Sequence, residues 1–184
     1  MDPHPAVAHL APLVGTWRGG GRGDYPTIEP FEYREEVTIG HVGKPFLAYS
    51  QRTKGADGSP LHAESGYLRP AGERGLEALI VHPSGISELL LGEATETHFG
   101  LLLTLRAGTD DAAGDAGDAG DPAASAMNRC GPGGRVILTP TAKRVDAIER
   151  RVSVDGDTMR YEVHMAAVGE LMTPHLEATL HRAD

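Results

Sequence analysis

The stretch Gly15-Thr-Trp-Arg-Gly-Gly-Gly-Arg-Gly-Asp-Tyr-Pro-Thr-Ile28 joins a Gly-x-Trp-x-Gly-x-Gly run to a Tyr-Pro-Thr-Ile tail. Residues two apart on a strand share a face, and one face of this run carries Gly15, Trp17, Gly19 and Gly21. Glycine at this density indicates a sharply bent strand or the close approach of another backbone. Small barrels often begin with such a Gly-x-Trp, whose indole closes one end of the core. We therefore predict a structural motif with Trp17 as the barrel plug, because a phosphate-binding loop would need the P-loop lysine.

Outside this stretch the chain consists of short alternating runs separated by turn residues. Residues 6–14 contain enough apolar side chains for a short helix, which Pro12 limits to one or two turns. The turn at 155–157 predicts a hairpin between two alternating runs, and we expect charged residues such as Arg150 on its outer face. Many strands and little helix favour an antiparallel barrel or sandwich. The candidate strands are 36–40, 46–53, 65–69, 75–81, 86–91, 98–105, 135–138, 145–154, 159–168 and 175–181.

The composition fits one domain over residues 1–184, and the net charge of −9 opposes nucleic-acid and anionic-membrane partners. The single cysteine, Cys130, excludes an internal disulfide and any cysteine-rich zinc site. With no leader-like or transmembrane apolar run, a cytoplasmic location is expected. Residues 107–134 repeat Gly, Ala and Asp with few bulky apolar side chains, which predicts a disordered loop insertion between two strands.

Several segments resemble the nitrobindin family in the same order along the chain. The family comprises ferric-haem proteins with a lipocalin-like or fatty-acid-binding-protein-like barrel. The resemblance implies an all-β, antiparallel up-and-down barrel of about ten strands with a short N-terminal helix and one haem b per subunit. It further implies a haem-dependent isomerase that converts peroxynitrite to nitrate and binds nitric oxide when ferrous. Besides the first stretch, the segments are Phe31-Glu-Tyr-Arg-Glu-Glu36, Gly40-His-Val-Gly-Lys-Pro-Phe-Leu-Ala-Tyr49, His62-Ala-Glu-Ser-Gly-Tyr-Leu-Arg69 and Met172-Thr-Pro-His-Leu-Glu-Ala-Thr-Leu180.

His175 is the principal candidate site residue. The residues alone say only that it follows Pro174 at the start of the final strand, near a barrel mouth. The resemblance implies that His175 is the proximal axial ligand of the haem iron, and so the residue through which catalysis proceeds. Strand parity separates His175 from Leu176 and Leu180, which belong to the core-facing set. Either His175 precedes regular pairing, or the inward set near the mouth is the other one.

Two further residues are predicted to contact the cofactor. Thr27 is placed near the haem by the resemblance, and Lys143 could meet a haem propionate by charge attraction. Each has a plain structural alternative, an ordinary turn for Thr27 and an exposed lysine for Lys143. Among the other histidines, His62 can share a strand face with Glu64, whereas His82 is expected in a surface or turn position.

Two other functions remain open at this stage. The same barrel could carry a fatty acid or another apolar ligand without catalysis. A nitric oxide sensor or store would share the haem and differ only in having a partner protein. The expected partners are small molecules, peroxynitrite and nitric oxide, and the chain is expected to be a monomer or homodimer.

Overall fold

The computed structural model describes residues 2–108 and 134–183, which form a closed barrel of eleven strands preceded by a 3-10 helix at Pro5–Leu13. The described residues contain no helix of the length and apolar character needed to cross a membrane. The strands are β1 (Gly15–Tyr25), β2 (Ile28–His41), β3 (Leu47–Lys54), β4 (Pro60–Ala71), β5 (Gly75–Val81), β6 (Ile86–Thr97), β7 (Gly100–Gly108), β8 (Arg135–Leu138), β9 (Val145–Asp155), β10 (Thr158–Ala167) and β11 (Thr173–Arg182).

The barrel closes where β1 pairs with β11, and its main ladders are antiparallel. The strands β7 and β8 occupy one position around the barrel, because both pair with β6. The C-terminal part of β6, from Leu91 to Thr97, pairs with β7. Its first residues, from Ile86 to Leu89, pair with β8. The eleven segments therefore fill ten positions, which confirms the prediction of an antiparallel barrel of about ten strands with a short N-terminal helix.

The end of the barrel at the start of β1 is closed by Trp17 and the 3-10 helix. The side chain of Trp17 is fully buried, and its indole Nε1 donates a hydrogen bond of 2.9 Å to the carbonyl of Leu13. The Arg182 guanidinium lies 4.1 Å from the centre of the indole ring, within cation–π range. Apolar side chains of the helix, Val7 and Leu10, are buried beside it. This end of the molecule is therefore dry and packed.

The glycines of β1 allow close packing against the neighbouring strands. A Cβ at Gly19 would overlap the carbonyl of Thr179 and lie 2.8 Å from the Cα of Leu180. A Cβ at Gly21 would overlap the ring of Tyr33. Glycine is required here because the space that a side chain would need is already filled.

The structure differs from the sequence-based expectations at several points. Arg150 does not lie on the outer face of its hairpin: its side chain is 14% exposed and points into the barrel, where two carboxylates pair with it. The His82 side chain is also buried, at 7% exposed, rather than placed at the surface. The strand β2 begins at Ile28 instead of residue 36. Of the predicted insertion, Ala107 and Gly108 belong to β7, and residues 109–133 lie outside the described residues.

Candidate functional site

A β-bulge at the start of β11 determines the position of His175. On the β10 side, Val163 lies opposite Leu176 and His164 lies opposite Pro174, so His175 has no partner residue on β10. The ladder with β1 ends at Leu176. Bulges re-aim a side chain at the rim of a barrel. The first of the two sequence-based alternatives holds on the β1 side, where His175 precedes regular pairing. On the β10 side Thr173 and Pro174 are already paired, and His175 lies in the bulge. The core-facing set of β11 remains Leu176 and the residues in phase with it.

Two contacts hold the imidazole of His175 in place. Its Nδ1 lies 3.1 Å from the carbonyl oxygen of Asp24, and its ring packs edge-on against Tyr25 at 5.3 Å between centroids. The Tyr25 oxygen accepts a hydrogen bond of 2.9 Å from the amide of Ala167, which fixes the phenol ring in turn. The end of β1 thus positions the imidazole directly, and Ala167 of β10 positions it indirectly through Tyr25.

The electronic state of His175 fits a metal ligand. Burial lowers the pKa of its imidazole below the usual value, which favours the neutral form. Donation from Nδ1–H to the Asp24 carbonyl leaves Nε2 with its lone pair, and within the described part of the chain Nε2 has no hydrogen-bond partner. A neutral imidazole held by a backbone carbonyl at one nitrogen and free at the other is the usual form of a histidine ligand to iron.

A cavity of about 960 Å³ lies at this rim and is bordered by His175. Its volume falls within the range of about 300 to 1,000 Å³ typical of cofactor sites. Apolar and aromatic residues border part of it, among them Tyr25, Phe31 and Leu176. The remaining residues around it are Arg22, Gly23, Asp24, Pro26, Pro30, Glu32, Glu162, His164, Thr173, Pro174 and Glu177.

The other two predicted cofactor contacts lie near this cavity without bordering it. Thr27 is exposed in the turn between β1 and β2, directly after Pro26, which does border the cavity. Lys143 is exposed just before β9, close to Arg144, whose carbonyl accepts a hydrogen bond from the amide of Val168 after β10. Both residues are therefore at the His175 end of the barrel, and their contact with a cofactor stays a prediction.

Behind this rim, the barrel interior holds a set of charged side chains that we call the Arg150 cluster: His62, Glu64, His82, Glu88 and Arg150. The guanidinium of Arg150 donates two hydrogen bonds of 2.9 Å to Glu64. It donates two more, of 2.8 and 2.7 Å, to Glu88. Burial disfavours the charge on Glu64, yet the adjacent Arg150 outweighs it and holds the pKa of this carboxyl well below its usual range. The Glu64 carboxylate is therefore ionised and paired with the Arg150 guanidinium.

A second polar chain lies beside the cluster. The phenol of Tyr161 donates a 2.7 Å hydrogen bond to Glu35, whose other oxygen accepts from the amide of Gln51. The hydroxyl groups of Tyr161 and Tyr33 are 2.7 Å apart. Burial raises the pKa of Glu35 to about 7, a shift that these hydrogen bonds only partly offset. The described interior thus contains one carboxyl that is close to half-protonated at neutral pH.

Sequence reasoning missed most of these interior polar residues, although strand parity contained the signal. Arg150 is in phase with Ile148 and Val152, and Glu88 is in phase with Leu90. Counting by twos from the apolar residues would have placed both side chains inside. Arg150 was expected on the outer face of its hairpin only because it is charged.

Beneath the polar residues, the described part of the barrel holds a small interior cavity. This cavity of about 60 Å³ is bordered by residues that include Tyr49, Leu103 and Arg150. This volume suits a few water molecules rather than an extended apolar ligand.

Comparison with known proteins identifies the family of the chain. Residues 6–182 match the family model described as the THAP4-like, heme-binding beta-barrel domain. The chain is 47% identical over 182 residues to peroxynitrite isomerase 2 of Mycobacterium avium, covering 98% of this chain and 97% of that protein. It is 45% identical over 180 residues to the peroxynitrite isomerase of Nocardia farcinica, covering 97% and 92% of the two chains. The crystal structure of Rv2717c from M. tuberculosis superimposes with a TM-score of 0.83 at 42% identity, with full coverage of both chains. The chain therefore belongs to the THAP4-like haem-binding β-barrel family, the nitrobindins.

Proposed function

We propose that this protein is a haem-dependent peroxynitrite isomerase in which ferric haem b is held by His175 Nε2. The observation that carries the proposal is the re-aimed His175, which is neutral, bonded to a backbone carbonyl through Nδ1 and free at Nε2 beside a cofactor-sized cavity. The names of the relatives from M. avium and N. farcinica supply the reaction, isomerisation of peroxynitrite, and the family resemblance implies nitrate as its product.

The residues of the chain would divide the work as follows. When bound, ferric haem supplies an electrophilic metal centre for a peroxynitrite oxygen. His175 holds that centre, and the Asp24 carbonyl keeps the imidazole in the tautomer that presents Nε2. Tyr25 restricts rotation of the ring through its edge contact. Apolar residues such as Phe31 and Leu176 would cover part of the macrocycle and exclude water.

Thr27 and Lys143 are proposed as outer contacts of the haem. Thr27 is the next residue in the chain after Pro26, which borders the proposed haem pocket. The Lys143 ammonium is exposed at the same end of the barrel, where a propionate could reach it. Because an exposed ion pair contributes at most about 1 kcal/mol, we expect Lys143 to adjust haem affinity rather than determine it.

The reading as a fatty-acid carrier is disfavoured by the interior of the barrel. A carrier needs a large apolar cavity, whereas the interior cavity beneath the polar residues has a volume of about 60 Å³ and has Arg150 at its border. Binding of nitric oxide to the ferrous form is compatible with the same haem site and is proposed as a secondary property.

We further propose one haem per subunit, a monomeric or homodimeric protein and a cytoplasmic location. We also propose that the protein has no nucleic-acid or membrane partner, in keeping with its net charge of −9.

The test is a titration of the purified haem-free protein with ferric haem, followed by absorption in the Soret region. We expect a saturable band in the wild type and at least about tenfold weaker binding in His175→Ala, equivalent to about 1.4 kcal/mol. His164→Ala is the matched control, because His164 borders the same cavity from β10. It should bind haem as the wild type does.

The activity test uses the same three proteins loaded with haem. Stopped-flow decay of peroxynitrite, with the nitrate yield measured at the end, should show catalysis in the wild type and in His164→Ala. Haem binding that is unchanged in His175→Ala would disprove the proposed ligand. Haem binding without acceleration of peroxynitrite decay would disprove the isomerase assignment and leave nitric oxide binding as the function.

A further inference from the structure

Two imidazoles and one carboxylate oxygen of the Arg150 cluster converge on a single point. His62 Nε2 and His82 Nδ1 are 3.0 Å apart. Glu64 Oε2 lies 3.4 Å from His82 Nδ1 and 3.8 Å from His62 Nε2. All three atoms can act as ligands for a metal ion.

These separations have the dimensions of a coordination site. A circle through three atoms with these separations has a radius of about 2.0 Å, so one point lies at that distance from all three. Zinc binds histidine nitrogen at about 2.0 to 2.1 Å and carboxylate oxygen at about 2.0 to 2.2 Å. Three protein ligands of the two-histidine, one-carboxylate type would leave a position open for water.

The surroundings contain the outer partners that such a site needs. Glu88 Oε1 lies 2.7 Å from His82 Nε2, the ring nitrogen that would face away from the ion, although the two atoms are not aligned as a hydrogen bond. A carboxylate behind a ligating histidine fixes its tautomer and increases its basicity. Glu64 is oriented by Arg150 and by the hydroxyl of Tyr49, which both donate to its Oε1. The guanidinium also contacts Oε2, so an ion would share that oxygen with Arg150.

Charge and access also favour a cation. The Arg150 cluster has two carboxylates against one guanidinium, so it carries a net negative charge when both imidazoles are neutral. The His62 side chain is 38% exposed, whereas those of His82 and Glu64 are 7% and 2% exposed. His62 thus gives an ion a route from solvent to the buried ligands.

We propose that His62, Glu64 and His82 bind one divalent transition-metal ion of the zinc class inside the barrel, through ligands other than His175. The alternative that the same geometry allows is a hydrogen bond between the two imidazoles with no metal. The two cases differ in whether a divalent ion binds stoichiometrically, and in which substitutions abolish that binding.

The experiment is a calorimetric titration of the full-length, haem-free protein with Zn²⁺. We expect one ion per chain, and binding weakened at least tenfold in both His62→Gln and His82→Gln. His98→Gln is the matched control, because His98 is exposed between β6 and β7 and lies outside the Arg150 cluster. His175→Ala should bind Zn²⁺ as the wild type does, so the outcome is independent of the haem proposal.

A second readout guards against loss of fold. Co²⁺ bound by the wild type should give visible absorption bands that are absent in His62→Gln, while circular dichroism reports whether each variant keeps its β structure. If His82→Gln does not fold, His62→Gln decides the question, since its ring is the half-exposed one. Absence of Zn²⁺ binding by the wild type, or wild-type affinity in folded His62→Gln, would overturn the proposal.

Discussion

At the scale of single residues, Glu35 makes the free energy of unfolding depend on pH. Its side chain is 4% exposed, and it faces Tyr161 and Gln51 directly, with Tyr33, Glu64 and Arg150 within electrostatic reach. Burial raises the pKa from 4.5 to about 7, so the folded chain retains a proton that the unfolded chain releases. Stability contributed by this group is complete below pH 4.5 and is lost as the pH rises towards 7.

We expect Glu35→Gln to remove this loss. A pKa difference of this size corresponds to about 3 kcal/mol of unfolding free energy. The stability advantage of Glu35→Gln over the wild type should therefore increase by about 2 to 3 kcal/mol as the pH is raised from 5 to 8. The new amide can donate to Tyr161, whose proton can turn towards Tyr33, so the hydrogen-bonded chain survives. Urea unfolding of both proteins at several pH values gives the comparison.

The neighbouring Glu36 provides the control for that measurement. Its side chain is 44% exposed and pairs with Arg18 on the barrel surface. Glu36→Gln should change the free energy of unfolding by less than about 1 kcal/mol at any of these pH values. If the curves for Glu35→Gln and the wild type run parallel over the whole pH range, the pKa of Glu35 is not raised in the folded protein.

At the scale of single strands, β1 depends on its glycines for closure of the barrel. A Cβ at Gly19 would enter the backbone of β11, whereas a Cβ at Gly40 on β2 would meet nothing within 4 Å. We expect Gly19→Ala to destabilise the protein by at least about 2 kcal/mol, because the added Cβ would overlap backbone atoms of Thr179 and Leu180, which cannot rotate away as a side chain can. Gly40→Ala should be neutral or stabilising by up to about 1 kcal/mol.

Denaturant unfolding of these two variants isolates the effect of position, since both exchange the same residues on adjacent strands. Equal stability of Gly19→Ala and Gly40→Ala would show that β1 and β11 can separate without cost. In that case the glycines of β1 would need an explanation other than close packing.

The strands also show which features a sequence can reveal. Alternation and turn residues predicted the bounds of β5 and β8 correctly, because both signals are local. The bulge at His175 could not be predicted, since it depends on the register of β10 against β11. The Arg150 cluster was missed for a different reason: its charges are compensated by partners from other strands, and no single strand indicates that they meet. The assignment of His175 as haem ligand rests on family resemblance, not on local physics, and stays a prediction.

At the scale of the whole molecule, the two ends of the barrel have different roles. Trp17 and the 3-10 helix close one end with apolar packing. The other end has the turn between β1 and β2, the bulge and the cavity beside His175. The Arg150 cluster lies in the interior and reaches this second end through the half-exposed His62. The stable end therefore lies away from the end where chemistry is proposed.

The shared position of β7 and β8 leads to a prediction about the chain between them. Gly108 lies beside Arg135, Arg135 lies opposite Leu89 of β6, and Val136 lies opposite Glu88. The β6–β7 register ends with Arg106 opposite Leu91, so its continuation would bring Gly108 opposite Leu89. The side chains of Ala107 and Val136 are both buried in the barrel. If Gly108 is joined directly to Val136, these two residues are two positions apart and so lie on the same, inward face of the strand. A variant without residues 109–135 should therefore form one continuous strand. We expect it to unfold within about 1 kcal/mol of the wild type and to bind haem normally, because loop length changes stability only slowly.

A fusion that differs by one residue supplies the control for this variant. Joining Gly108 to Arg135 adds a single residue and turns Val136 towards solvent, since a shift by one exchanges the two faces of a strand. This second variant should be less stable than the first by about 2 kcal/mol, the cost of exposing the buried side chain of Val136. Urea unfolding and haem titration of both fusions make the comparison. Equal stability of the two would mean that β8 finds its register independently of β7, and that the interrupted strand is not one structural unit.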